Sequence, residues 1–211
     1  DYKYLPSVMQ LILRKIGFFS AFMIPVLVIA GCYAGGYWIY LTIAFSFILI
    51  PLFDEALGID RSNVPAAEAR ELSAEFYYRF VTYCWTYCQL GFFIWGIMAV
   101  SSGRLSGPVE WIGFVISFSL VTGGIGITVA HELGHKRSAL ERFYGKVLLM
   151  MVCYMHFYIE HNRGHHVQVA TPEDPATARK KESFYEFWFR SVFQGYAHAW
   201  KLENERLERN A

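Results

Sequence analysis

Between Ile16 and Phe53 the chain carries no charged side chain. A membrane helix needs about 20 apolar residues in a row, and this run is long enough for two. Gly35 and Gly36 sit near its middle and mark a tight turn. The run therefore predicts a helical hairpin over 16–53, with spans at 16–34 and 37–53. Pro25 lies inside the first span, and a kink there is tolerable where neighbouring groups re-satisfy the freed backbone. Phe80–Gly103 and Trp111–Ala130 are two more charge-free runs, predicting spans at 80–103 and 111–130. A turn with Gly107-Pro108 separates them, and Trp111 stands as an interface anchor. The expected fold class is all-α, a polytopic membrane bundle with about four transmembrane helices. Composition agrees, with 55% hydrophobic and 18% charged residues, where soluble domains have about 45–50% and about 25%.

The remaining segments are shorter. Ala66–Glu75 reads as a surface helix, and Val147–Ile159 as a re-entrant or buried helix, too short to span. Phe184–Trp200 is rich in aromatic residues and reads as an amphipathic interfacial helix. The charged end, Lys201–Asn210, has no cap or turn signal. Cys32, Cys84, Cys88 and Cys153 lie in apolar runs without a C-x-x-C pair, which predicts reduced, buried thiols. Net charge is +1 with no basic block, so no nucleic-acid partner is expected. Lysine and arginine gather in the N-terminal lead, in 54–79 and after His135. Four spans put these three segments on one side, which the positive-inside rule makes the cytoplasm. Residues 1–211 are expected to form a single membrane domain, with 131–211 at its cytoplasmic face.

Five of the seven histidines fall in two clusters. The first is His131-Glu132-Leu133-Gly134-His135-Lys136, the second Glu160-His161-Asn162-Arg163-Gly164-His165-His166. On an α-helix, positions i and i+4 share a face, which pairs His131 with His135 and His161 with His165. His166 would point about 100° further round. A metal satisfies several imidazoles at once, so His131, His135, His161, His165 and His166 are the candidate ligands. His156 reads as a core histidine and His198 as an interfacial one. His131-Glu132-x-x-His135 also fits a zinc protease with Glu132 as general base. That chemistry leaves the second cluster unexplained, and a doubled histidine argues for two metals. A membrane protein that only binds or delivers metal is the third reading.

The first cluster resembles the first histidine box of the membrane alkane monooxygenases, and Glu160–His166 resembles their second box. The flank Val169-Ala170-Thr171-Pro172-Glu173-Asp174-Pro175-Ala176-Thr177 is similar too. So are Pro51-Leu52-Phe53-Asp54 and Gly58-Ile59-Asp60. Desaturases are the nearest alternative among histidine-box di-iron enzymes, and the second-box flank favours the hydroxylase. The resemblance implies oxygen-dependent terminal hydroxylation of medium-to-long alkanes at two non-haem irons, with dioxygen as co-substrate. It implies electrons from rubredoxin, reduced by an NADH-dependent reductase, and a place in the bacterial inner membrane with the histidines facing the cytoplasm. The family carries a third histidine box and a further histidine motif beyond the second box, so the 211 residues are expected to be the N-terminal portion of a longer enzyme. Glu132, Glu160 and Asp174 are candidates to orient the imidazole rings. Lys136, Arg137, Arg142 and Lys146 either dock the electron donor or serve topology alone. Thr42 and Ser46 either line a substrate channel or, in the favoured reading, pack small against a neighbouring helix.

Overall fold

Backbone polar groups in lipid must be satisfied within the chain, and helices do this locally. The computed structural model describes residues 15–58 and 75–210, and every regular element among them is helical. Four helices are long and apolar enough to cross a membrane: α1 Lys15–Ala34, α2 Gly36–Leu57, α3 Phe76–Ser101 and α4 Gly107–Gly134. Three more follow. α5 is Ala139–Met151. α6 runs from His156–Ile159 through a π-helical turn, Glu160–His165, into His166–Gln168. α7 is Phe184–Asn210.

The four expected spans are all present, but several ends move outwards. α4 starts at Gly107 because Pro108 sits in the first turn, where its missing N–H is no loss. α1 is α-helical at 15–17, breaks into a turn and a 3₁₀ segment, Ser20–Phe22, and resumes as α-helix at Met23. Pro25 thus lies in the first turn of the resumed α-helix, and the irregular backbone sits just before it. The expected helix at Ala66–Glu75 lies outside the described residues except for Glu75, which is extended ahead of α3.

The backbone divides into two compact units, residues 1–126 and 127–211, and the boundary falls within α4. In the first unit, Cys32, Ile39, Ala99, Leu105 and Phe114 form a buried core against Tyr40, Trp95 and Phe118. α1 ends at Gly35, whose φ of +74° suits glycine. Glu110 ties this turn to the next one, accepting the Gly36 N–H at 2.5 Å and the Ser106 N–H at 2.7 Å. Two further bonds pin the helices. Ser117 donates to the Ile39 carbonyl at 3.0 Å. Buried Gln89 accepts from the Trp85 indole at 2.9 Å and donates at 3.4 Å to the carbonyl of Thr122, within the π-helical stretch Leu120–Ile125. Thr42 is fully buried, as a packing residue should be, and Ser46 is half-buried.

In the second unit, Ala130, Leu133, Leu148 and Leu149 are buried. Gly145 lets α5 lie close to the end of α4: a Cβ there would stand 3.0 Å from the Ala130 carbonyl oxygen and 3.3 Å from the Leu133 Cβ. The expected single helix at Val147–Ile159 is two pieces. α5 ends at Met151, Cys153 takes a left-handed φ of +55°, and α6 starts at His156. Cys153 is exposed, not buried as its apolar setting suggested. The charged stretch after Trp200 continues α7 to Asn210. A capping box starts that helix. The Ser183 N–H donates to Glu186 Oε2 at 2.9 Å, and the Glu186 N–H donates to Ser183 Oγ at 3.3 Å.

Gly31 offers a direct test of packing in the first unit. A Cβ at this position would lie 2.5 Å from the Trp38 carbonyl oxygen, a backbone atom that cannot swing away. Gly31→Ala is expected to destabilise the protein by about 1–3 kcal/mol, as overpacking does, seen as a lower melting temperature in detergent. Gly91→Ala, at a site with open space, should leave it unchanged.

Candidate metal centre

The site is assembled within the second unit from three stretches of chain. His131 lies in the last α-turns of α4, and His135 follows directly after Gly134. The i, i+4 pairing expected of an α-helix holds, since the two Nε2 atoms are 3.2 Å apart. His161 enters from α6, with its Nε2 3.0 Å from that of His135. His166 completes the group, with its Nε2 3.1 Å from that of His161. Four imidazoles therefore converge edge to face, with the His135 and His166 ring centroids 4.8 Å apart.

The second box departs from the expected geometry. Its first six residues, Glu160–His165, form a π-helical turn. Such a turn brings i and i+5 into register. His166, not His165, thus meets His161 nitrogen to nitrogen. His165 stacks its ring on His161 at 5.4 Å and sends Nδ1 to Asp174 Oδ2 at 2.8 Å. Asp174 is buried and also accepts from the Thr177 hydroxyl at 2.5 Å and the Ala176 N–H at 2.9 Å. Burial alone would raise its carboxyl, but these hydrogen bonds hold it below the ordinary carboxylate range. A carboxylate on Nδ1 favours the tautomer that leaves the Nε2 lone pair available to a metal.

The remaining candidates separate. Glu160 is buried and receives His198 Nδ1 at 3.1 Å. Glu132 is exposed, 3.6 Å from the Nδ1 of His131. Lys136 and Arg137 are exposed. Arg142 turns inward to the carbonyls of Lys136 and Arg137, at 3.2 and 2.5 Å, and Lys146 sits 4.7 Å above the Tyr158 ring. Lys146 is exposed as well, and only Arg142 of the four cations is half-buried. His156 is half-buried and packs between Tyr154 and Tyr196, at 4.6 and 4.9 Å.

The spacing of the His131, His135 and His161 nitrogens suits a metal. Two imidazole nitrogens, each about 2.1 Å from one ion, lie roughly 3.0 Å apart at a right angle and roughly 3.4 Å apart at a tetrahedral one. The ring nitrogens of His131, His135 and His161 all fall within 4.8 Å of one another.

Comparison with known proteins agrees. The fatty acid desaturase family profile matches residues 106–210, which include both histidine clusters. Alkane 1-monooxygenase 2 of Pseudomonas aeruginosa is 40% identical over 173 residues, 82% of this chain and 46% of that protein. Alkane 1-monooxygenase 1 of Alcanivorax borkumensis is 38% identical over 172 residues, 82% of this chain and 42% of that protein. Alkane 1-monooxygenase 2 of the same organism is 34% identical over 218 residues, 97% of this chain and 55% of that protein. The chain is a homologue of the alkane 1-monooxygenases. It spans about half the length of the curated relatives it matches. With four spanning-length apolar helices, this alkane 1-monooxygenase homologue is an integral membrane protein.

Sequence reasoning missed His198. Read as interfacial, it instead reaches the second box with a side chain that is only 15% exposed. It also missed Arg190, whose guanidinium bonds Glu182 and the carbonyls of Pro175 and Thr177. No spacing rule joins residues this far apart. The only local hint was a charged residue within an otherwise aromatic helix.

Two imidazoles of the homologue, His161 and His135, are held below the ordinary histidine range. Burial, followed by the charges that His131, His166, His135 and His165 would carry, lowers the pKa of His161 to about 4. His135 is lowered by burial and then by His131 and His166. Unfolded, His161 takes its proton near 6.5. Between these values the metal-free folded state holds fewer protons than the unfolded state, so stability rises with pH. Lowering the pH from 7 to 4.5 is expected to lower the melting temperature of the metal-free protein. His161→Gln should flatten that slope, and a slope unchanged by the substitution would assign it elsewhere.

Proposed function

We propose that this chain provides the membrane scaffold and the first two histidine boxes of an oxygen-dependent alkane 1-monooxygenase. The observation that carries this is the convergence of His131, His135, His161 and His166 in a homologue of those enzymes, with His165 oriented beside them by Asp174. A single catalytic zinc takes three protein ligands and an open position. Five histidines gathered from two boxes exceed that need and favour a two-metal site. Imidazole suits iron, so two non-haem irons are the proposed occupants.

The overall reaction is R–CH₃ + O₂ + 2 electrons + 2 protons → R–CH₂OH + H₂O. Bound iron would supply the dioxygen reduction and the oxidation of the C–H bond. This chain's own residues have simpler tasks. The imidazoles of His131, His135, His161 and His166 would offer ring-nitrogen lone pairs. Asp174 holds the ring of His165 with its Nδ1 occupied. An alkane has no polar handle and dissolves in lipid, so a protein with membrane-spanning helices meets it at high local concentration. Selectivity between chain lengths would be gradual, because each buried CH₂ contributes only about 0.8 kcal/mol. By the positive-inside rule the cluster faces the cytoplasm, in the proposed setting of a bacterial inner membrane. A rubredoxin, reduced by an NADH-dependent reductase, is the proposed electron donor there. Exposed Lys136, Arg137 and Lys146 are the cations placed to attract an acidic carrier.

Metal analysis of the full-length protein in detergent tests the proposal. About two irons per chain are expected, with medium-chain alkane converted to the 1-alkanol when reduced rubredoxin is supplied. His166→Ala should cut that turnover by on the order of 100-fold or more, beyond the 10–100-fold typical of an outer partner. One zinc per chain, insensitive to His165→Ala and His166→Ala, would move the protein to the membrane zinc proteases. Bound iron without alkane or fatty-acyl turnover would make it a metal-binding protein instead.

A further inference from the structure

The second histidine box is an unusual piece of backbone. A π-turn is rare, and here it decides which histidine meets His161. In a regular α-helix, position 165 would take that place and His166 would swing roughly 100° away. Something outside the turn must favour the wider register.

α7 lies against it. Glu160, the first residue of the π-turn, is buried, and its Oε1 is 3.1 Å from His198 Nδ1. Gly164 leaves room for this pair. A Cβ at that position would stand 2.6 Å from Glu160 Oε1 and 2.9 Å from the His198 ring. One helical stretch earlier, Arg190 makes four hydrogen bonds to the loop before α7. It gives 2.9 Å bonds to the Pro175 and Thr177 carbonyls, and bonds of 2.6 and 2.7 Å to the two carboxylate oxygens of Glu182. The Pro175 and Thr177 carbonyls belong to the turn in which Asp174 caps Ala176 and holds His165. A third, more exposed tie links Glu203 to Arg163 of the π-turn at 3.4 Å.

We propose that α7 is the positioning element of the second histidine box, with His198 acting on the π-turn through Glu160 and Arg190 acting on His165 through the Asp174 turn. Neither residue touches the converging nitrogens. His198 sets the register that brings His166 to His161. Arg190 fixes the carboxylate that aims His165. The inference rests on the metal reading of the cluster and not on the identity of the substrate.

Cobalt(II) titration of the metal-free, full-length protein in detergent tests this, because cobalt reports both affinity and ligand geometry through its visible absorption. His198→Ala and Arg190→Gln are each expected to weaken cobalt binding by about 10–100-fold and to alter the spectrum. His198→Asn, which keeps an N–H donor near the Nδ1 position, should recover most of the affinity. Lys201→Gln, exposed on the same helix, should bind like the parent. Wild-type affinity and spectrum in both His198→Ala and Arg190→Gln, even with lower melting temperatures, would overturn the proposal and leave α7 a purely structural helix. Should either of these variants fail to fold, Arg190→Lys decides. It keeps the charge but cannot reach all four acceptors, so unchanged cobalt binding would overturn the role of Arg190. Parent protein that shows this dependence but oxidises no alkane would overturn the proposed function and leave the positioning role standing. Active parent protein with insensitive variants would do the reverse.

Discussion

Imidazole nitrogens held 3.0 to 3.2 Å apart tolerate little positive charge. A proton on His161 would place a cation against its neighbouring rings, and burial and those neighbours lower its pKa. Neutral rings are what a metal requires. The depressed titration of His161 and the lone-pair chemistry of the site are one property seen from two sides. The surrounding second unit keeps these rings crowded and oriented.

Two kinds of support achieve this. Covalent proximity suffices for the first box, since an α-helical end brings residues four apart onto one face. The second box needs more, because its useful geometry departs from the regular helix. There the supports are buried polar pairs: Asp174 on His165 and Glu160 on His198, with Arg190 holding the loop between. Such pairs are costly when half-satisfied. Here Asp174 has three hydrogen-bond partners and Arg190 bonds three residues, so ordering costs are met by several contacts at once. Glycine supplies the space at two close approaches, Gly145 beneath the first box and Gly164 beneath the second.

A different logic governs the first unit. Its helices must satisfy their own backbones, and their few polar side chains bridge elements instead of facing lipid. Gln89 and Ser117 reach carbonyls on neighbouring helices, while Glu110 caps two turns. The π-helical stretches at Phe45–Leu49 and Leu120–Ile125 fall in this unit. Local departures from α-geometry thus recur both in the spans and at the histidines.

Much was legible in the sequence because its causes are local. Charge-free runs near 20 residues can only be spans, and the His131-x-x-x-His135 spacing suits one helical face. The five histidines stood out by spacing, whereas Asp174 was one of three candidate carboxylates beside Glu132 and Glu160. The sequence could not say that His166 rather than His165 faces His161. Residue spacing predicts geometry only when the helix type is known, and a π-turn is chosen by what packs against it. Nor could it say that His198 and Arg190 serve the site. Their partners lie 38 and 13–15 residues away, on elements brought together only by folding. That Arg142 donates to the Lys136 and Arg137 carbonyls was equally hidden. Sequence alone determined the helical membrane architecture and the identity of the clustered imidazoles, through hydrophobicity and short-range periodicity. The tertiary structure decided their register and their orienting partners, because both depend on contacts between segments that no local period connects.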